Sequence, residues 1–159
     1  MLDSVPDALV WIPVALVVAG AMEPWAAWVH HKVWHGPMWG VHESHHVDTE
    51  GWFERNDVFA AAHALPAIVL IVAGCEVPQG LLGNGMFGIG IGMTLFGFAY
   101  ALVHDGLVHG RLPVGFLLRF KLFRRIKGAH TRHHISGTYP YGLFLGPQEL
   151  QRAVRRGER

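Results

Sequence analysis

The chain has 159 residues, of which 51% are hydrophobic and 16% charged, with a mean hydropathy of +0.26; soluble globular chains carry ~25% charged residues. This length leaves room for one domain, residues 1–159, and the composition argues against a soluble domain and for a membrane protein. A formal charge of +1 and the absence of any nucleic-acid motif exclude a nucleic-acid partner, and a single cysteine, Cys75, excludes an intrachain disulfide and reads as a small packing residue in an apolar run.

In chain order, Met1 to Asp7 carries no Lys or Arg, which argues against a cleaved leader with a basic start. Ala8 to Val29 is apolar and long enough for the ~20 helical residues a bilayer requires. Glu23 is its one charge and Pro24 is placed to kink it. An intramembrane carboxylate is either a partner of a functional group or a satisfier of the kinked backbone, and the sequence leaves Glu23 between the two. His30 to Asp57 is polar and broken by Gly36-Pro37 and Gly40. Val58 to Val77 forms a second apolar span, with His63 inside it as a core histidine. A short turn around Pro78 leads to the third span, Leu81 to Val103, whose many glycines suit close helix contact in lipid. Gly88-x-x-x-Gly92 fits packing within the chain better than dimerisation. Phe116 to Lys127 mixes aromatic, leucine and basic residues and predicts an interfacial basic helix. Tyr139 to Pro147 is rich in Gly, Pro and aromatics and is expected against the site, and the Arg-rich end is expected to fray.

Histidines punctuate this layout. His42, His45 and His46 stand at i, i+3 and i+4, on one face of a helical turn, and His130, His133 and His134 repeat the spacing. His30/His35 and His104/His109 form two further pairs at i, i+5. An ideal helix turns by ~140° over five residues, so these pairs either flank two metals or sit on a π-bulge or fraying terminus. His31, at i+4 to His35, competes with His30 on helical geometry alone. Three spans bring all four clusters to one membrane face. All 13 Lys and Arg residues lie between Lys32 and Arg159 on that same face, which the positive-inside rule makes cytoplasmic, with the N-terminus outside.

Neutral imidazole is the commonest side-chain metal ligand and accepts iron and zinc. Ten are too many for one structural zinc, which closes with four ligands. About five nitrogens for each of two metals leave open positions for dioxygen, so the ligand count points to di-iron oxygen chemistry, with zinc as a substitute metal. No catalytic side chain beyond the metal ligands and no organic-cofactor site is expected. Asp105 beside His104 and Glu43 beside His42 are candidates to orient imidazoles, Glu43 being equally a solvated surface charge. A bis-histidine haem carrier needs two axial histidines, and a metal carrier would place ligands near mid-membrane; both fit less well.

These motifs, with Glu54-Arg-Asn-Asp-Val-Phe59 and above all His104-Asp-Gly-Leu-Val-His109, resemble the histidine boxes of the membrane fatty-acid-hydroxylase superfamily, and within it the bacterial β-carotene hydroxylases. The resemblance spans roughly Glu23 to Pro147. It implies an all-α integral membrane bundle of about three transmembrane helices in the cell inner membrane, with a cytoplasmic histidine-rich site. It also implies a di-iron monooxygenase that uses dioxygen and a ferredoxin-type electron donor to hydroxylate carotenoid β-ionone rings at carbon 3. The family's boxes fall on His30, His35, His42, His45, His46, His104, His109, His130, His133 and His134. His31 departs from the family's basic or aromatic position after the first box histidine, and His63 lies outside the boxes. A hydroxylase or desaturase acting on sterols or fatty acids shares the same boxes. For a polyene, Phe87, Phe96, Phe98 and Tyr100 offer aromatic surface, or ordinary core.

Overall fold

The computed structural model describes residues 6–47, 52–78 and 80–158; most of the N-terminal segment Met1 to Asp7 lies outside them. Among the described residues the chain is entirely helical. Six α-helices follow one another: α1 (Ala8–Val29), α2 (Trp39–His42), α3 (Val58–Glu76), α4 (Leu81–Ala101), α5 (Lys121–Ser136) and α6 (Gly146–Arg156). Three helical stretches are long and apolar enough to cross a membrane, Ala8–Trp34, Arg55–Glu76 and Leu81–Val108. The protein is thus an all-α membrane protein with the three spans expected from its hydropathy.

The chain divides into two compact units, Met1–Met22 with Asp57–Phe98, and Glu23–Asn56 with Ala99–Arg159. In the first, Asp7 caps α1: its carboxylate accepts the Leu9 N–H at 2.9 Å, satisfying one of the donors a helix start leaves open. Gly88 and Gly92 lie one turn apart on α4 and let it touch the backbone of α1. A Cβ on Gly88 would stand 2.7 Å from the Trp11 carbonyl oxygen, and one on Gly92 2.6 Å from that of Ala15. The glycine pair therefore packs within the chain. Gly90 faces the other way, where a Cβ would meet the Ala67 carbonyl at 2.7 Å. Phe87 packs edge-on against Trp11 at 5.4 Å, an ordinary core contact, whereas Phe98 is exposed. Cys75 is exposed as well, not packed, near the end of α3.

The second unit has its own apolar core of Val103, Leu107, Ile126 and Leu143. Full burial of one such side chain is worth ~1.5–3 kcal/mol, enough to fix α5 against the end of the third span. Phe116 to Lys127 is not one helix: a tight turn over Gly115–Arg119 breaks at Phe120, where the backbone is extended, before α5 begins. Arg124 explains the break, since its guanidinium donates to the Leu118 and Arg119 carbonyls left open there, at 2.7 and 2.9 Å. The Arg-rich end does not fray through its length. It forms α6, with Pro147 in its first turn and Ala153 fully buried.

Candidate metal centre

All ten box histidines belong to the second unit. The two i, i+5 pairs sit on π-helical turns, His30–Trp34 continuing α1 and Leu102–Val108 continuing α4. In each the later histidine's backbone N–H reaches the earlier one's carbonyl, His35 to His30 at 2.9 Å and His109 to His104 at 3.0 Å. This wider turn brings His30 and His35 within 4.9 Å of each other, ring centre to ring centre, and His104 and His109 within 4.7 Å. Lys127 supports the second π-turn by donating to the Leu107 carbonyl. The His42 cluster lies on α2 and the short turn after it, and the His130 cluster on the buried face of α5. Gly137, at φ 67°, ends α5 in the left-handed conformation that favours glycine. The chain doubles back there, and the Thr138 carbonyl accepts from His133 Nδ1.

The imidazole nitrogens gather in two groups, each with its atoms within 4.8 Å of one another: His30, His35, His42, His46 and His133 in one, His45, His109, His130 and His134 in the other. His104 joins the second group through His45. The Nε2 atoms face inward. Pairs of them stand at 3.0 Å (His30/His42), 3.1 Å (His35/His133), 3.2 Å (His42/His46), 3.0 Å (His45/His104) and 3.0 Å (His130/His134).

These short approaches are not ordinary hydrogen bonds. His45 donates from Nδ1 to Glu54 Oε2 at 2.9 Å, and His104 from Nδ1 to Asp105 Oδ1 at 2.9 Å. With their protons on Nδ1, both rings point Nε2 lone pairs at each other. His30 likewise commits its Nδ1 proton to the Tyr141 carbonyl at 2.7 Å. Facing lone pairs repel unless a cation sits between them. Nε2 pairs at 3.0–3.2 Å would let the two rings of each pair bind one ion. His109 Nε2 is buried with no hydrogen-bond partner among the described residues, as a ligand nitrogen would be. The residues present fit a pair of metal ions.

Electrostatics agree. Burial first, and then the neighbouring imidazoles, push His35 and His109 down to about 3 and His134 to about 2. Burial also lowers His133 and His42 to about 4, although the Thr138 carbonyl and the Asn56 side chain partly oppose it. His45 and His130 move in the same direction for the same reasons. Near neutral pH these rings are therefore uncharged, the state that binds metal.

The supporting residues were only partly visible in the sequence. Asp105 orients His104 as its position suggested. Glu43 is exposed, and the carboxylate that serves its cluster is Glu54, paired in turn with Arg111. Asn56 Oδ1 lies 2.7 Å from His42 Nδ1. Neither Glu54 nor Asn56 stands at a helical spacing from its histidine, though both fall inside the Glu54–Phe59 motif that carried the resemblance. Glu23 is buried and accepts the Leu145 N–H at 2.8 Å, so it holds the loop that presents Tyr141 and touches no histidine directly. Glu149 fixes the same loop through the Tyr141 and Gly142 N–H groups, each at 2.9 Å. His31 stacks on Tyr141 at 4.1 Å and joins neither nitrogen group. His63 lies in the first unit and bonds the Phe59 carbonyl one turn back, at 2.8 Å.

The fatty acid hydroxylase family model matches residues 15–148. The chain is 51% identical over 141 residues to a chloroplastic beta-carotene 3-hydroxylase of Gentiana lutea, covering 86% of this chain and 44% of that protein. It is 49% identical to beta-carotene 3-hydroxylase 2 of Arabidopsis thaliana, over 86% of this chain and 46% of the relative. The chain thus spans a little under half the length of these plant relatives. With a beta-carotene hydroxylase of Pseudescherichia vulneris the identity is 40%, over 85% of this chain and 77% of that protein. No solved structure matches the chain significantly. Two groups of inward-facing histidine nitrogens and a family match over most of its length together place this chain in the fatty acid hydroxylase family.

Proposed function

We propose that the chain is a di-iron membrane monooxygenase that hydroxylates carotenoid β-ionone rings at carbon 3, taking β-carotene to β-cryptoxanthin and then to zeaxanthin. The observation that carries the metal part is the pair of inward nitrogen groups, with the outer Nδ1 of His30, His42, His45, His104 and His133 already committed to oxygen acceptors. His30, His35, His42, His46 and His133 would hold one iron, and His45, His104, His109, His130 and His134 the other. Bound there, the irons supply activation of dioxygen against an unactivated C–H bond. Each hydroxylation converts one ring C–H to C–OH and sends the second oxygen atom to water, consuming two electrons and two protons. A ferredoxin-type protein would supply the electrons. The protein's own task is to keep the imidazoles neutral and fixed in direction, which burial serves and, for His30, His42, His45, His104 and His133, an acceptor on Nδ1.

The substrate class is supported by the beta-carotene hydroxylase relatives and by three apolar spans suited to a long polyene. Residues 1–159 act as one hydroxylase domain in this reading. Confinement of all 13 Lys and Arg residues to Lys32–Arg159 supports an inner-membrane orientation with the histidines and C-terminus cytoplasmic and the N-terminus outside. Incubation of the iron-loaded protein with β-carotene, a reduced ferredoxin and labelled dioxygen should give zeaxanthin whose hydroxyls carry the label. Label arriving from water, a product oxidised at carbon 4, or hydroxylation of a sterol or fatty acid in place of the carotenoid would overturn the assignment.

A further inference from the structure

We propose that the two metal positions are chemically unequal, and that Glu54, Asp105 and Arg111 form a charge clamp that makes the His45/His104 position the tighter of the two. This rests on the metal-binding reading above and goes beyond it.

The difference lies behind the ligands. His45 and His104 donate directly to carboxylates, at 2.9 Å each. One guanidinium ties those carboxylates together: Arg111 Nη2 pairs with Glu54 Oε1, and Nη1 lies 3.8 Å from Asp105 Oδ1. Two carboxylates against one guanidinium leave a net charge of −1 behind this histidine pair. In the other group the acceptors described for His30, His42 and His133 are neutral, namely the Tyr141 carbonyl, the Asn56 side chain and the Thr138 carbonyl. Glu149 reaches that group only through a peptide: it accepts the Gly142 N–H at 2.9 Å, and the carbonyl of that same peptide group accepts from His30.

An imidazole that shares its Nδ1 proton with a carboxylate is a stronger donor at Nε2 than one bonded to a neutral carbonyl. The negative charge also attracts the cation directly, in surroundings where His45 and His104 are 5% and 4% exposed and solvent screens little. Both effects favour the same position. Arg111 pairs with the two carboxylates that accept from His45 and His104, so it is a positioning residue, and its planar fork suits the task better than a lysine ammonium.

The test loads detergent-purified protein with Zn(II) or Fe(II) alone, dialyses it against graded chelator and counts metal ions per chain. The wild type should release its two ions in two steps separated by at least about tenfold in chelator. Glu54→Gln keeps an acceptor for His45 and removes only the charge. It should weaken retention of the second ion by ~10–100-fold and draw the steps together, while its unchanged first step reports an intact fold. Arg111→Lys keeps the charge and loses the fork, and should shift the second step by less. Asn56→Ala should weaken the first step alone. Release of both wild-type ions in a single step, or an effect of Glu54→Gln confined to the first step, would overturn the proposal. A wild type that retains no metal from either solution would instead refute the metal-binding reading itself.

Discussion

The two compact units solve opposite packing problems. In the first, Met1–Met22 with Asp57–Phe98, α4 approaches its neighbours through glycine, and the closest approaches are to backbone carbonyls. Lipid tails are as apolar as leucine, so helices there gain little from hiding apolar surface and must gain from close contact instead. In the second, Glu23–Asn56 with Ala99–Arg159, lie eight of the nine buried polar or charged residues among the described residues, six of them histidines, beside an apolar core of four residues. A buried polar group is costly unless bonded, and here oxygen acceptors answer the outer nitrogens of His30, His42, His45, His104 and His133, while the inward nitrogens face one another.

Substitution of a ligand should produce the largest effect. His45→Ala or His133→Ala removes a fully or almost fully buried ring from one nitrogen group and is expected to abolish hydroxylation and to lower bound metal, measured as metal per chain. Retention of two metals and full turnover in either variant would dissolve the contrast between the units.

Acid should come next, and only through the second unit. Because the folded values of His35, His42, His109, His133 and His134 lie between about 2 and about 4, below the ordinary ~6.5, the unfolded chain binds more protons in this window. Stability and metal retention are therefore full above about pH 6.5 and fall as pH drops through the folded values. Unfolding and metal release followed together by titration from pH 7 to pH 4 should show both. A profile flat over that window would contradict the burial of neutral imidazoles.

The first unit should respond to volume. Gly92→Ala places a Cβ where the Ala15 carbonyl oxygen stands 2.6 Å away, an overpacking expected to cost ~1–3 kcal/mol, read as a lowered thermal midpoint in detergent with metal content per folded chain unchanged. His63→Ala should be smaller still, since that ring answers a carbonyl of its own helix; loss of bound metal in this variant would move His63 into the ligand set.

Much of this was legible in the sequence, because it depends on local pattern. Three apolar stretches of span length fix three helices whatever surrounds them, and those predicted by composition agree with α1, α3 and α4 to within two residues at every end. The i, i+3, i+4 spacing puts three imidazoles on a helical face, and the i, i+5 spacing that no straight helix can use leaves a π-bulge among its readings, the one the structure takes. What the sequence could not supply was anything carried by contacts distant along the chain. Glu23 seemed an isolated intramembrane charge until its partner proved to be the Leu145 N–H, 122 residues away. Glu43 and Glu54 are both glutamates near the same cluster in sequence, and only the folded chain brings Glu54 to His45. The Arg-rich end reads as a fraying tail because its charges dominate a local window, yet Ala153 and Glu149 tie it down as α6. Residue type and spacing determine which groups share a helix face, since the helix itself carries that information. Which acceptor meets each imidazole, and hence how the ten nitrogens divide into two groups, is decided only when segments remote in sequence close on one another.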